Sequence, residues 1–233
     1  MNKEINSETF LYISPEKFGI YLYDVNSFKN FYINESVFEN NIKSIDFELL
    51  KKFLDNNIYK IEKQIGKFIE NIIIIVNNEK ILSLDIGIKK KNYNNIINIK
   101  YLKNYVTEAK DLFKENYDSQ KIMHIIMNKY LVDDKIFLLT ENNLKCDQIS
   151  LEIQFISLPN NIAESFDKLL GNYQIKIKKF IDGNYLKNFL NSDSELSEVA
   201  HKLLNGYNQK EVMIVPKNQK KMGFFEKFFQ LFS

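Results

Sequence analysis

The residues of this sequence that could carry out chemistry are few and widely spaced. Only two histidines occur, His124 and His201, and the single cysteine is Cys146. Neither histidine has a cysteine or carboxylate at a spacing typical of a metal site. We therefore predict that His124, in an apolar strand, is a packed and hydrogen-bonded histidine. Cys146 is predicted to be a small, semi-buried residue.

Two charged clusters have both a functional and a structural interpretation. Asp133 and Asp134 form an acidic pair, but a solvated turn after a strand explains them more simply. Lys176, Lys178 and Lys179 could bind phosphate, but alternating lysines are also what the exposed face of an edge strand needs to discourage aggregation. We predict the structural role for both clusters, and no enzyme active site.

The strongest functional pattern is at the C-terminus, where large apolar side chains recur on one side of a short helix. At about 100° per residue, the residues of this face lie within an arc of roughly 160°. They are Phe224, Phe225, Phe228, Phe229, Leu231 and Phe232. Glu226, Lys227, Gln230 and Ser233 occupy the opposite side. Lys220 and Lys221 precede the helix, and with Lys227 they suit an interfacial helix on an anionic leaflet.

Two interpretations of this C-terminal helix are open. In one, residues 223–233 bind a membrane surface, and the polar segment 216–222 is the linker that lets them leave the body. In the other, the phenylalanine face docks on the core of the protein itself. We predict membrane binding. Each buried Phe contributes roughly 1.5–3 kcal/mol and each lysine about 1 kcal/mol, so the aromatic residues should set the affinity.

Composition limits the class of protein. Apolar residues make up 45% of the 233 residues and charged residues 27%, as in a globular protein with one ordinary domain or two small ones. The net charge of +2 is too small to produce the strong positive electrostatic field that attracts nucleic acid. One cysteine excludes an internal disulfide. The polar N-terminus and the short apolar run Ile72–Val76 predict neither a signal peptide nor a membrane-spanning helix, and hence a cytoplasmic protein.

The apolar spacing of the first part of the chain predicts three strands, a helix and a buried strand. Phe10–Ile13 and Phe18–Tyr23 are expected to form a hairpin, followed by a strand Phe31–Ile33. Ser44 is expected to cap a helix from Asp46 to Ile65 that Gly66 ends. Ile72–Val76 is a continuous β-branched run, which is typical of a strand covered on both faces.

The rest of the chain alternates between predicted strands and helices. The strands are Ile81–Ile88, Ile96–Ile99, Ile122–Leu131, Gln148–Ile156, Tyr173–Ile181 and Val212–Val215. A polar turn over residues 89–95 is expected between the first two of them. The helices are Asn98–Leu112, with an apolar face of Leu102, Val106, Ala109 and Phe113, then Ile162–Leu170, Tyr185–Leu190 and Glu195–Leu204.

The stretch Lys121–Asp134, which reads KIMHIIMNKYLVDD, resembles a strand of the inserted subdomain of FtsA, a bacterial cell-division family of the actin superfamily. Asn143–Glu152 resembles the next strand of that subdomain more loosely. The resemblance implies an α/β fold: half of an actin-like (ribonuclease H-like) domain with an inserted SHS2-type subdomain and a C-terminal amphipathic helix. The implied first lobe covers residues 1–83 and 155–215, and the subdomain covers 84–154. The second lobe of the family is absent.

The actin superfamily binds nucleotide through two phosphate loops, and neither is intact here. At the first loop, Tyr12 stands in place of the aspartate and Ser14 in place of the glycine, while Pro15 lacks an amide donor. The glycines of the second loop have no counterpart. The sequence of Leu84–Ile88 matches the pattern of the first loop, but it follows the predicted helix and does not open the domain. We interpret it as a strand ending in a glycine turn. We therefore expect no cofactor, and no ATP in particular.

The resemblance implies a non-enzymatic, peripheral protein on the cytoplasmic side of the bacterial inner membrane, at the division site. It would anchor or recruit division proteins there. Candidate partners are FtsZ, later-recruited division proteins, other copies of the chain and anionic lipid. FtsA grips FtsZ through the lobe that has no counterpart here, so an FtsZ contact would need another surface. Two alternatives stay open: an adaptor of a pilus-assembly or secretion machine of the same superfamily, and a residual ATP-binding protein.

Overall fold

A computed structural model describes residues 6–39, 44–96, 99–136 and 145–212. In chain order the elements are β1 (Ser7–Ile13), β2 (Lys17–Asp24), β3 (Lys29–Val37), α1 (Phe47–Asp55), α2 (Ile58–Ile65), β4 (Asn71–Val76), β5 (Leu82–Ile96), α3 (Ile99–Asn116), β6 (Gln120–Val132), β7 (Lys135–Ile136), β8 (Lys145–Pro159), α4 (Asn160–Gly171), β9 (Lys176–Asp182), α5 (Gly183–Lys187) and α6 (Leu196–Leu204).

The chain divides into two compact units. The first comprises Met1–Ile81 and Pro159–Asn205, and the second comprises Leu82–Leu158 and Gly206–Ser233. Residues 210–212 of the second unit are bonded to β6, because the Met127 amide donates to the Lys210 carbonyl and the Val212 amide donates to the Ile125 carbonyl. The first lobe 1–83 and 155–215 and the inserted subdomain 84–154 stay predictions.

The first unit is built on a five-stranded mixed sheet of order β3-β2-β1-β4-β9. β1, β2 and β3 form an antiparallel meander, while β4 runs parallel to both β1 and β9. The run of β-branched residues in β4 is buried, as predicted for a strand covered on both faces. The protein is a mixed α/β protein with two sheets, as predicted for the α/β class.

The predicted single helix Asp46–Ile65 is in fact two helices, α1 and α2. The break falls at Asn56 and Asn57, where the Asn57 side chain donates to the Phe53 carbonyl at 2.6 Å and accepts from the Tyr32 hydroxyl at 2.6 Å. The N-cap is Asp46, whose carboxylate accepts from the Leu49 amide at 2.9 Å, and not the predicted Ser44. Gly66 ends α2 at φ +70°, as predicted.

The helices of the first unit are joined to its sheet through aromatic contacts. Phe166 on α4 is fully buried. Its ring centroid lies 5.1 Å from that of Phe47 on α1 and 5.9 Å from that of Phe180 on β9. One side chain therefore links two helices and the edge of the sheet, which fixes α4 over β9.

The second unit is a four-stranded sheet of order β5-β8-β6-β7 with α3 packed on it. The predicted apolar face of α3 is confirmed: Leu102, Ala109 and Phe113 are buried, and Val106 packs against the same cluster. The Phe113 ring stacks on that of Phe155 from β8, with centroids 5.0 Å apart. The core of this unit is thus one helix face against one sheet face.

The prediction of two strands separated by a turn over residues 89–95 is wrong. β5 is a single strand from Leu82 to Ile96, paired with β8, with a register shift between Lys91 and Asn95. Tyr93 and Asn94 have φ values of +51° and +56° at this irregularity. A bulge therefore absorbs the polar residues that suggested a turn, and the strand continues beyond it.

Candidate functional site

The carboxyl ends of the three parallel strands of the first unit lie side by side. Ile13 of β1 pairs with Val76 of β4, and Val76 pairs with Asp182 of β9. Ser14 and Asn77 follow these strand ends directly. In open α/β sheets, ligands bind in the crevice beyond the carboxyl ends of the strands. This edge is therefore the candidate functional site of the first unit.

The β1–β2 turn at this edge is closed by its own hydrogen bonds. The Ser14 hydroxyl accepts from the amides of Glu16 at 3.2 Å and Lys17 at 3.1 Å. The Ser14 amide donates to the Lys17 carbonyl at 3.0 Å. Pro15 has no amide to donate. A phosphate placed here would have to compete with these bonds, since it needs the same amides.

The polar groups that follow β4 and β9 are used for capping. The Asn77 amide donates to the Ile13 carbonyl at 2.7 Å, and the Asn78 side chain accepts from the Lys80 amide at 2.9 Å. The Asp182 carboxylate caps α5 by accepting from the amides of Asn184 at 3.2 Å and Tyr185 at 3.0 Å. These side chains shape the turns of the edge.

Gly183 sits at the closest approach between the ends of β4 and β9. A Cβ atom at this position would lie 3.1 Å from Asn77 Cβ and 3.3 Å from the Val76 carbonyl oxygen. The backbones therefore come close only because residue 183 has no side chain.

Lys17, Tyr21 and Glu35 form a polar cluster beside the β1–β2 turn. The Lys17 ammonium lies 2.7 Å from Glu35 Oε1, and the Tyr21 hydroxyl donates to the same oxygen. Gly19 makes room for the Tyr21 ring, because a Cβ there would lie 2.6 Å from the tyrosine oxygen. The cluster joins β2 to β3, and Lys17 also lies 5.8 Å from the centroid of the Tyr12 ring.

The environment of this cluster favours a neutral tyrosine and a charged carboxylate. Burial raises the pKa of Tyr21, and the hydrogen bond to Glu35 raises it further. Burial alone would raise the pKa of Glu35, but the hydrogen bonds from Lys17 and Tyr21 outweigh it and lower the pKa. Tyr21 stays protonated at neutral pH, and Glu35 is a weaker base than an ordinary glutamate. The arrangement suits an ion pair that holds strands together.

The predicted phosphate-loop substitutions lie at this edge. Tyr12 is buried in β1, one residue before its end, and Ser14 and Pro15 form the turn. The Leu84–Ile88 segment lies elsewhere, in the middle of β5, where Gly87 pairs with Glu152 of β8. The predicted glycine turn at its end is wrong, because the strand runs on to Ile96.

His124 is a packed, hydrogen-bonded histidine, as predicted. It is buried in β6, and its Nδ1 lies 2.8 Å from Oε1 of Glu211, which is also buried. The partner was not foreseen, because Glu211 is 87 residues away and its neighbours give no signal of burial. Beside the pair, the Met127 amide donates to the Lys210 carbonyl and the Val212 amide to the Ile125 carbonyl, both at 2.8 Å.

The other chemistry-bearing residues are placed as follows. Cys146 is fully buried rather than semi-buried, and burial raises the pKa of its thiol. Asp133 and Asp134 form the β6–β7 turn with φ values of +47° and +61°, as the turn interpretation predicted. Asp133 also accepts from the amides of Asp147 and Gln148 at 2.9 Å. Within the described residues, no group of three or more His, Cys, Asp or Glu side chains could hold a metal.

Lys176, Lys178 and Lys179, which were predicted to lie on an edge strand, lie on β9. β9 is the last strand of its sheet, and Lys176 and Lys178 are exposed while Lys179 is half-buried. Lys178 pairs with Glu8 of β1 at 3.0 Å, and His201 Nδ1 lies 2.8 Å from the same carboxylate. These contacts tie α6, β1 and β9 together.

The predicted membrane-binding residues, from Lys220 to Phe232, lie outside the described residues, as does the linker 216–222. Of the predicted strand Val212–Val215, only Val212 is described. Its neighbour Glu211 forms an antiparallel bridge with Ile126. Among the helices that the structure describes, none has the length and apolar character needed to cross a bilayer.

Comparison with known proteins identifies no family for this chain. No protein-family model and no curated protein matches it. Several solved structures are similar to this chain, among them three at low identity. The cytoplasmic domain of EpsL, an inner-membrane component of the type II secretion system of Vibrio cholerae, has a TM-score of 0.40 and 5% identity over 76% of this chain and 57% of that one.

The other two structures are similarly distant. A PilM–PilN type IV pilus biogenesis complex has a TM-score of 0.44 and 9% identity, covering 77% of this chain and 48% of that one. A Bacteroides thetaiotaomicron protein of actin-like ATPase fold and unknown function has a TM-score of 0.32 and 11% identity, covering 80% and 56%. The chain spans about half the length of the three structures that it matches. Similarities this distant carry no argument about function.

Proposed function

We propose that this chain is a non-enzymatic, FtsA-like adaptor that holds bacterial division proteins at the cytoplasmic face of the inner membrane. The observation that carries the proposal is the closed β1–β2 turn. The turn amides that would bind a phosphate donate instead to Ser14 and Lys17 of the same turn. An actin-like half-domain whose phosphate site is filled by its own groups is suited to binding proteins rather than hydrolysing ATP.

The membrane part of the proposal rests on the C-terminal sequence and on where it begins. Residues 210–212 are fixed to β6 by backbone hydrogen bonds and by the His124–Glu211 pair. The ten residues from 213 to 222 can extend at most about 35 Å. If residues 223–233 lie in the membrane interface, the second unit is held within that distance of it. The phenylalanine face and the lysines would supply the affinity for anionic lipid.

We assign the second unit the role of the SHS2-type subdomain, which presents a surface to partner proteins. In chain order the unit has β5, α3, β6, β7 and β8. This order supports the assignment, because a helix followed by the strands Ile122–Leu131 and Gln148–Ile156 was expected of the subdomain. Its core is fully formed by α3 and the sheet. The outer face of α3 stays exposed around Thr107, Asp111 and Leu112. Division proteins are the proposed partners, because the sequence resemblance lies in this unit.

Nucleotide binding tests the non-enzymatic part of the proposal. A ligand that binds the folded state raises the unfolding temperature by mass action. We expect no change in the thermal unfolding of the full chain with Mg²⁺-ATP or Mg²⁺-ADP at millimolar concentration, compared with Mg²⁺ alone. A rise of several degrees with ATP would support the residual ATP-binding protein instead.

Capture of partners tests the cellular role. The full chain, expressed with a small tag in a bacterium, is expected to co-purify with division proteins and to locate at the division plane. Recovery of pilus-assembly or secretion components instead, with polar localisation, would contradict the division role. It would favour the adaptor of a pilus or secretion machine, and the membrane attachment would be unchanged.

A further inference from the structure

The outer edge of β6 pairs with two separate parts of the chain. β7 pairs with Leu131 and Val132, the last two residues of β6. Further back along β6, Ile126 forms an antiparallel bridge with Glu211. Glu211 belongs to residues 206–212, which we call the strap. A short segment from a distant part of the sequence therefore covers the middle of β6, where a neighbouring strand would otherwise pair.

The strap is held to β6 by short-range contacts of a few residues. The Met127 amide donates to the Lys210 carbonyl at 2.8 Å. The Val212 amide donates to the Ile125 carbonyl, also at 2.8 Å. The strap is otherwise partly in solvent, and Tyr207 is 60% exposed. An element held in this way belongs to the parts of a protein that open locally at a low free energy.

The buried pair His124–Glu211 sets the chemistry of a strand at this edge. Nδ1 of His124 lies 2.8 Å from Oε1 of Glu211, and both side chains are buried. Burying a polar group without its hydrogen bond is costly, so a strand in this position needs a carboxylate beside His124. The next residue, Val212, packs against the apolar cluster of α3 and the sheet. The sequence that fits is an acidic residue followed by an apolar one.

We infer that the middle of the β6 edge is a strand-addition site for an extended segment of a partner protein, and that the strap occupies the site in the absence of the partner. In strand addition, main-chain hydrogen bonds supply affinity and alternate side chains supply specificity. The strap shows that a segment with an acidic–apolar pair fits, because it makes both kinds of contact itself. This inference rests on the proposed role of the second unit in binding partner proteins, and it gives that role a defined site.

The strap limits how tightly the partner binds. A tethered segment is present at an effective concentration on the order of millimolar, so the site is open for a small fraction of the time. The apparent affinity for a partner strand is reduced by that fraction. Binding of the partner releases residues 206–212, which lengthens the tether to the C-terminal residues by up to about 25 Å. Capture of a partner and the reach of the C-terminus are therefore coupled.

Binding of a strap peptide to the full chain tests the site. The probe is a labelled peptide of residues 206–215, and fluorescence anisotropy measures its binding without lipid. We expect the Glu211→Ala chain to bind the probe at least about tenfold more tightly than the wild type does, because its own strap is weakened. Val212→Ser, which weakens the strap while keeping the pair with His124, should act in the same direction. A probe carrying Glu211→Ala should bind at least about tenfold more weakly to either variant.

Hydrogen exchange locates the bound probe. The Met127 amide, which donates to the strap, should exchange faster in the Glu211→Ala chain than in the wild type. Saturating probe should slow this exchange again, because the peptide replaces the strap at the same backbone groups. Binding of the probe without renewed protection of the Met127 amide would place it elsewhere and overturn the inference.

Glu152→Ala is the matched control, because it removes a carboxylate from an exposed pair with Lys129 in the same unit. It should bind the probe as weakly as the wild type does. No binding to either strap variant at millimolar probe, or equal binding to all the chains, would overturn the inference. So would a dimer of the strap variants that the probe dissociates in sedimentation velocity, since the occupant would then be the strap of a second copy. The assay contains neither lipid nor division proteins, so its failure is distinct from failure of the proposed function.

Discussion

Two tyrosines of β2 differ in the hydrogen bonding of their hydroxyl groups. Tyr21 donates to Glu35, whereas the buried hydroxyl of Tyr23 has no hydrogen-bond partner among the described residues. The Tyr23 ring is packed against Phe10, with centroids 6.3 Å apart, and against His201 at 5.4 Å. The ring therefore stabilises the core while the hydroxyl carries a desolvation cost.

Replacement of Tyr23 by Phe should not destabilise the protein. An unsatisfied buried hydroxyl costs about 1–3 kcal/mol, so we expect Tyr23→Phe to leave the free energy of unfolding unchanged or to raise it within that range. Tyr32→Phe is the matched control, because the Tyr32 hydroxyl bonds Asn57 at 2.6 Å, and it should lose about 1 kcal/mol. Urea denaturation measures both. A loss for Tyr23→Phe as large as that of the control would show that its hydroxyl has a partner.

The Glu35 carboxylate should give a measurable pH dependence of stability. Its pKa is lowered in the folded protein from the ordinary value of 4.5. The stabilisation is therefore present above 4.5 and is lost as the pH falls through the lower folded-state pKa. We expect Glu35→Gln to be less stable than the wild type at pH 7, with the difference shrinking below pH 4.5.

The control for this experiment is Glu16→Gln, which changes an exposed carboxylate of the same turn. The free energy of unfolding of Glu16→Gln should differ little from that of the wild type at every pH, as for most surface charges. Denaturation curves between pH 3 and pH 7 make the comparison. A constant difference for Glu35→Gln across this range would contradict the assigned ion pair.

At the scale of elements, the sequence predicts regular segments well and special backbone positions poorly. The helix α3 was predicted because its apolar residues repeat at the period of a helix. The strand β4 was predicted because its β-branched residues form one continuous run. The α1–α2 break was missed because it depends on Asn57 bonding to Tyr32 of a distant strand. The bulge in β5 was predicted to be a turn because its residues are polar. Polar residues fit a bulge as well as a turn, so the sequence does not distinguish the two.

The candidate site was predictable only in part, for a related reason. The substitutions Tyr12, Ser14 and Pro15 are visible in the sequence, but the closure of the turn by the Ser14 hydroxyl is a matter of geometry. The cluster of Lys17, Tyr21 and Glu35 depends on the register of β2 and β3, which places Gly19 opposite Glu35. Alternating patterns do not specify register between strands.

The His124–Glu211 pair should control the attachment of residues 206–212 to β6. Removing one partner of a buried pair leaves the other uncompensated, so we expect Glu211→Ala to lose about 3 kcal/mol of stability. Hydrogen exchange of the Met127 and Val212 amides should accelerate, since both bond across this contact. Glu152→Ala is the control: its pair with Lys129, at 2.7 Å, is exposed and screened by solvent, so its loss should change the stability far less. Unchanged protection of both amides in Glu211→Ala would contradict this role.

At the scale of the whole molecule, the two units contribute different parts of the proposed function. The first carries the β1–β2 turn that is closed by hydrogen bonds of Ser14 and Lys17. The second includes residues 210–212, which are bonded to β6. A protein of this kind would bring partners together on a surface, and its activity would depend on where it is held. Attachment to the membrane is therefore the central claim.

Liposome co-sedimentation of the full chain tests that claim most directly. The full chain is compared with a chain ending at Val215 and with Phe225→Asp/Phe228→Asp, on anionic and neutral vesicles at low and high salt. Losing two buried Phe side chains should weaken binding at least about a hundredfold. Gln230→Asp/Ser233→Asp is the control, because it adds the same charge on the polar side of the helix.

The account predicts that the full chain and the control pellet with vesicles, more strongly with anionic lipid and low salt. The shortened chain and the phenylalanine variant should stay in the supernatant. If the full chain stays in the supernatant as well, the phenylalanine face is packed on the protein itself, and the membrane role is contradicted.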